Sequence, residues 1–184
     1  MGAAAAGGLL GSVLGGRRGG GLLRTGGMAA VGLLAYRAYE QWKAQQAGNP
    51  ATPSAAEFAQ VEEPAFGLSL VRAMVAAARA DGDMDSAERE RIFGEAERLN
   101  LDADDKAEMF RILDTPADPA AIARLAVTEA QKAEIYTASA LIIGKAGASE
   151  RAYLVALAGV LDLPAGLRAR LDAEVQAALI TPPV

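Results

Sequence analysis

Two stretches decide how this chain folds: Gly82 to Asp102, GDMDSAERERIFGEAERLNLD, and Gly144 to Pro164, GKAGASERAYLVALAGVLDLP. Shifted by 62 residues, they lay Gly144 on Gly82, Glu150 on Glu88, Arg151 on Arg89, Leu154 on Ile92, Ala158 on Ala96, Leu161 on Leu99 and Leu163 on Leu101. The matches fall on both the apolar stripe and the polar entry of a helix, the pattern of a duplicated unit of helix, tight turn and helix. Neither unit can bury its apolar face alone, so the two are expected to share one core.

The periodicity around these stretches is helical. Phe66, Leu70, Met74 and Ala78 recur every four residues with Val71 and Val75 beside them, which predicts a helix over 65–80. Further helices are predicted over 86–99, 103–113, 119–127, 129–144, 149–161 and 165–179. Asp118 before Pro119 is an N-cap followed by proline at the first helical position, and Asp102 opens the preceding helix in the same manner. No run of alternating β-branched residues competes with this assignment. The predicted fold class is all-α: a compact bundle of two related helix-turn-helix repeats over 65–180, preceded by a glycine-rich, partly helical N-terminal segment.

That segment, residues 1–47, differs in kind from the rest. It holds Arg17, Arg18, Arg24, Arg37 and Lys43 against Glu40, a net charge of +4, which leaves −9 for the remainder of a chain whose total is −5. Its first 36 residues contain twelve glycines and no acidic side chain, with Gly7, Gly11, Gly15 and Gly19 at four-residue intervals. Small residues at this spacing let helices approach closely in lipid, whereas in water each glycine costs a helix roughly 0.8–1 kcal/mol relative to alanine. The uncharged runs, Met1–Gly16 and Thr25–Tyr36, are 16 and 12 residues long, short of the roughly 20 that a spanning helix needs. A hairpin or interfacial helix is one reading, with the arginines at headgroup depth and Tyr36, Tyr39 and Trp42 as an aromatic edge; a low-complexity tail is the other. A secretory signal peptide fits less well, because the apolar run precedes the arginines. Residues 48–64, with Pro50, Pro53 and Pro64, read as a linker with one helical turn near Ala55–Gln60.

Composition excludes several chemistries. With no cysteine and no histidine, the chain has no disulfide, thiolate nucleophile, Ser/His/Asp triad or Cys/His zinc site, and any metal must be a hard cation on oxygen ligands. An acidic body without a clustered basic face excludes nucleic acid as the expected partner.

One loop invites such a cation. Asp81, Asp83 and Asp85 alternate, Glu88 follows, and the second repeat has Ile143, Lys145 and Gly147 in place of the three aspartates. Crowded carboxylates repel, and Ca²⁺ or Mg²⁺ would relieve that repulsion. An EF-hand is excluded, since counting from Asp81 places Ser86 at position six and Ile92 at position twelve. The competing reading needs no ion: Gly82 ends one helix, Asp85 caps the next and Glu88 completes a capping box, leaving Asp81 and Asp83 as surface charge. A metal-dependent hydrolase is not expected, because these acids lie on one turn with no convergent nucleophile, and Lys145, Ser149 and Tyr153 read as turn, cap and packing residues.

The Ala80-Asp81-Gly82 motif with Asp85 and Glu88, the segment ERAYLVALAGVLDLP and the head running into GGMAAVGLLAYRAYEQW together resemble the TerB-like superfamily. More narrowly, they resemble the YebE-type family of bacterial inner-membrane proteins (domain of unknown function 533). The resemblance covers nearly the whole chain. It implies an all-α fold of two helical repeats, attachment to the inner membrane with the helical domain on the cytoplasmic side, and an association with tellurite-type chemical or envelope stress. It also implies divalent-metal ligands at Asp81, Asp85 and Glu88, with Asp83 a local addition. The second half departs from the pattern at Gly144, Lys145 and Gly147, leaving Glu150 alone to help from that side.

The expected function is therefore a non-enzymatic, membrane-associated helical module whose acidic loop is a candidate cation site. Its partners are membrane lipid or membrane-protein helices met through residues 1–47, with homo-oligomerisation a further arrangement that glycine faces allow. A soluble interaction or scaffold module without metal is the alternative.

Overall fold

The computed structural model of this chain describes residues 21–46, 53–59, 64–82, 84–99, 102–113, 115–144 and 147–180. The glycine intervals from Gly7 to Gly19, with Arg17 and Arg18, lie outside them. All regular structure among the described residues is helical. The elements are α1 (Gly21–Ala44), α2 (Pro64–Ala78), α3 (Ser86–Arg98), α4 (Ala103–Leu113), α5 (Pro119–Ala123), α6 (Glu129–Ile143), α7 (Ala148–Val160) and α8 (Ala165–Ile180). The all-α bundle read from periodicity is present, and a 62-residue shift carries the bounds of α3 onto those of α7.

α2 and α6 form the centre. They are apolar nearly all round, which suits helices surrounded by others. Leu70, Val71, Ala73, Met74 and Ala77 are buried on α2, and every residue from Ala133 to Ile143 is buried on α6. The hydroxyl of Ser139 on α6 donates to Ile135 O at 2.9 Å, one turn back, and lies 3.4 Å from Ala73 O on α2.

The outer helices repeat one plan. α1 lies on α3 as α5 lies on α7; α4 packs on α2 as α8 packs on α6; α1 crosses to α6 as α5 crosses to α2. The 62-residue shift lays the five-residue α5 on residues 57–61, so the 24-residue α1 is an addition to the first unit with no helix opposite it in the second.

α1 is where the structure departs most from the sequence expectation. Met28, Ala30, Val31, Leu34, Ala35, Ala38 and Tyr39 are all buried, and most belong to the same apolar cluster as α2 and α6. The most extensive contact of α1 is with α8. A boundary at residue 47 between head and body therefore does not follow the packing, since residues 28–44 are structural parts of the body. The aromatic edge expected at a membrane surface is likewise packed inward. Tyr39 and Trp42 meet edge to face with ring centroids 5.4 Å apart, Phe58 of the linker turn lies 5.9 Å from Tyr39 and 5.6 Å from Tyr36, and Trp42 lies over Gly166 of α8. A Cβ at Gly166 would fall 3.0 Å from the indole Nε1, so the missing side chain makes room for the ring. No helix among the described residues is long and apolar enough to cross a membrane.

Candidate functional site at the paired capping loops

The acidic loop is built from the end of α2 and the start of α3. Gly82 takes φ +99° and the equivalent Gly144 takes φ +65°, the left-handed region that ends each preceding helix at little cost for glycine. Asp85 then caps α3: its Oδ1 accepts from Glu88 N at 2.7 Å, and Asp85 N donates to Glu88 Oε2 at 2.9 Å. This reciprocal pair is a capping box, which satisfies two otherwise orphaned donors of the helix start. The second repeat keeps half of it. Gly147 N donates to Glu150 Oε2, but glycine offers no side chain in return, and Ser149, expected as a cap, lies exposed inside the first turn of α7.

Glu88 is 7% exposed, and burial pushes its carboxyl above the ordinary range. The Asp85 hydrogen bond and Arg91 oppose that rise; the charges of Asp85 and, from the other repeat, Glu150 add to it. Of the four expected ligands, the structure joins Asp85 and Glu88. Asp81 is exposed on the turn, and Asp83 lies outside the described residues. Among the described residues, no three acidic side chains come together in a group able to hold a metal ion.

The family described as "Protein of unknown function (DUF533)" matches residues 1–175. The chain belongs to the DUF533 family. A relative, the "Uncharacterized protein in ampR 5'region" of Yersinia enterocolitica, is 28% identical over 107 residues, which cover 58% of this chain and 77% of that protein. No solved structure matches.

The DUF533 body also holds polar groups that the sequence pattern does not reveal. Tyr136 Oη donates to Asp172 Oδ1 at 2.7 Å and accepts from Arg168 Nε at 3.2 Å, tying α6 to α8. Arg72 of α2 is paired with Glu108 of α4, which also meets Arg111 at 2.5 Å. Glu95 of α3, 2% exposed, accepts from Arg98 Nη1 at 2.7 Å, and its other oxygen lies at Gly27, where α1 breaks with φ +51° and ψ −144°. Burial pushes the Glu95 carboxyl up to about 7, against the pull of Arg98 and the Met28 backbone N–H. Glu134 on α6 is fully buried, with neither carboxyl oxygen hydrogen-bonded, and burial alone pushes it up to about 9. A lone acid in an apolar run such as AEIYTASALII gives no sequence signal of this kind, because only the packing on every side makes it unusual.

The cavity between α2, α4 and α5 has a volume of about 190 Å³, and Val75, Ile112, Ile122 and Leu125 form its apolar wall. Ligand and cofactor sites usually run from roughly 300 to 1,000 Å³, so this space is small for either.

Proposed function

We propose that this DUF533 chain is a non-enzymatic helical module of the TerB-like, YebE-type kind. In this reading it is held at the bacterial inner membrane by residues 1–20, with the helical body on the cytoplasmic side, and acts in envelope or chemical stress. One observation carries the module reading. The polar side chains named above join helices: Asp85 and Glu88 cap α3, Tyr136, Asp172 and Arg168 tie α6 to α8, and Arg72, Glu108 and Arg111 join α2 to α4. Because α1 from Met28 onward belongs to the core, the stretch with lipid-compatible composition narrows to the glycine-rich, arginine-bearing start.

Fractionation of the full chain and of a form lacking residues 1–20 tests this. The full chain is expected with membranes and the shortened one in the soluble fraction. If both are soluble, the alternative of a soluble interaction module replaces the membrane reading.

A second reading starts from the charge of Glu150, which from the other repeat adds to the rise at the Glu88 carboxyl. A divalent cation such as Ca²⁺ or Mg²⁺ would offset the repulsion between these carboxylates, with Glu150 as the second-half acid where Lys145 and Gly147 offer none. Terbium titration is expected to show saturable binding that Glu150→Gln and Asp81→Asn/Asp85→Asn each weaken at least fivefold. Titration curves that coincide for all three proteins would remove the cation from the proposal.

A further inference from the structure

The cavity between α2, α4 and α5 lies where one repeat has less cover than the other. The 62-residue shift lays Ala103, the start of α4, on Ala165, the start of α8, and it lays Arg72 and Glu108 on Glu134 and Arg170. α1 packs on both α6 and α8, and Glu134 is fully buried. Beside α2 and α4 stands the five-residue α5; the Arg72 side chain stays 30% exposed, and a space of about 190 Å³ remains. The floor of that space is apolar and its mouth is polar. Val75, Ala76, Ile112 and Ile122 are buried in its wall, whereas Thr115, Pro116 and Asp118 are exposed at its edge. Arg72 lines it as well. Its Nη2 is paired with Glu108, but its Nε is buried and has no acceptor. A buried N–H left without a partner is costly, and an oxygen bound beside it would relieve that cost.

We propose that this cavity is a binding site for a small uncharged molecule, a hydrocarbon body that carries one carbonyl or hydroxyl oxygen. Its volume sets the size. An apolar cavity of about 150 Å³ takes up benzene, so this one accepts a molecule of roughly seven or eight non-hydrogen atoms and is too small for a cofactor. The apolar floor selects the body, because Val75, Ile112 and Ile122 offer a hydrocarbon surface and no hydrogen bond. Arg72 Nε selects the head, since it needs an acceptor that no side chain of the wall supplies. Charge excludes an anion. The positive charge of Arg72 is already matched by Glu108, and Asp118 adds a second negative group at the mouth, so a carboxylate or phosphate would enter against an acidic excess. The inference involves none of the residues on which the membrane and cation readings rest, and it stands or falls apart from them.

The test is a titration of the full-length chain, labelled with ¹³C at its isoleucine, leucine and valine methyls, with two probes. Cyclopentyl methyl ketone and cyclopentanecarboxylate have nearly the same size and shape and differ in the charge of the head. The ketone is expected to give saturable shifts centred on Val75, Ile112, Ile122 and Leu125, and the carboxylate to bind at least tenfold more weakly. Ala121→Leu, which fills the space from the α5 wall, is expected to abolish the saturable shifts without changing the helical melt. Arg72→Lys keeps a charge for Glu108 but loses the Nε donor, and is expected to weaken the ketone at least threefold. Arg111→Lys, which alters the other partner of Glu108 and does not line the cavity, is expected to leave it unchanged. The comparison of the two probes uses the unaltered chain, so it decides the matter even where a variant unfolds. No saturable shift, which would mean that water alone fills the space, shifts centred elsewhere, equal binding of the carboxylate, or full affinity in folded Ala121→Leu or Arg72→Lys would each overturn the proposal.

Discussion

Glu134 shows how one side chain sets a property of the whole fold. The 62-residue shift lays it on Arg72, which has a partner in Glu108, whereas neither oxygen of Glu134 is hydrogen-bonded. Its carboxyl is pushed from an ordinary value near 4.5 up to about 9, and Glu95 from the same value to about 7. Both groups bind a proton more tightly in the folded state than in the unfolded one. Their contribution is therefore fully present below about pH 4.5 and is lost as pH rises, through about 7 for Glu95 and about 9 for Glu134. Urea unfolding between pH 5 and 9 is expected to show stability falling with pH. Glu134→Gln should flatten the fall and raise stability at pH 8 by on the order of 3 kcal/mol; an unchanged slope would show that Glu134 does not titrate as placed. At Gly27 the requirement is steric. A Cβ there would lie 2.9 Å from Glu95 Oε2 in a backbone conformation with φ +51°, so Gly27→Ala is expected to cost about 1–3 kcal/mol in the same measurement.

Helix starts were the most legible elements, because capping is local chemistry. Asp118 caps α5 by accepting from Ala120 N at 2.9 Å, Asp102 accepts from both Asp104 N and Asp105 N at 2.9 Å, and Asp85 and Glu88 form the box their spacing announces. Asp85→Ala is accordingly expected to lower stability by about 1 kcal/mol, read by thermal or urea denaturation. α5 ends at Ala123 instead of continuing to 127, and Val127 is left 82% exposed. α1 is helical, as the partly helical N-terminal segment implies, but its packing into the core was not legible, for a physical reason. Glycine abundance signals poor helix stability in water, and that signal outweighed the spacing of Met28, Val31, Ala35, Ala38 and Trp42, alternately three and four residues apart, which is the mark of a core-facing helix. Tertiary packing against α6 and α8 supplies what local propensity lacks. The acidic loop was legible as a cap, but the influence of the Glu150 charge on Glu88 was not, since it depends on how the two repeats are set against each other.

For the molecule as a whole, the placement of α1 separates two truncations that composition would treat alike. Removing residues 1–20 leaves every buried residue named here in place, so a cooperative helical melt is expected to persist. Removing residues 1–47 deletes Met28, Val31, Leu34 and Tyr39 along with three buried alanines. At about 1.5–3 kcal/mol for each large side chain, that loss approaches or exceeds the 5–15 kcal/mol by which a domain is ordinarily stable. Circular dichroism of the longer deletion is expected to show no cooperative transition; a cooperative melt would mean that α1 is an accessory. The same helix imposes an order on biosynthesis. Among the described helices α1 leaves the ribosome first and its principal neighbour, α8, last, so a nascent chain must carry the apolar side of α1 without its mate while the six helices between them are made. Chaperone dependence in this protein should accordingly centre on α1.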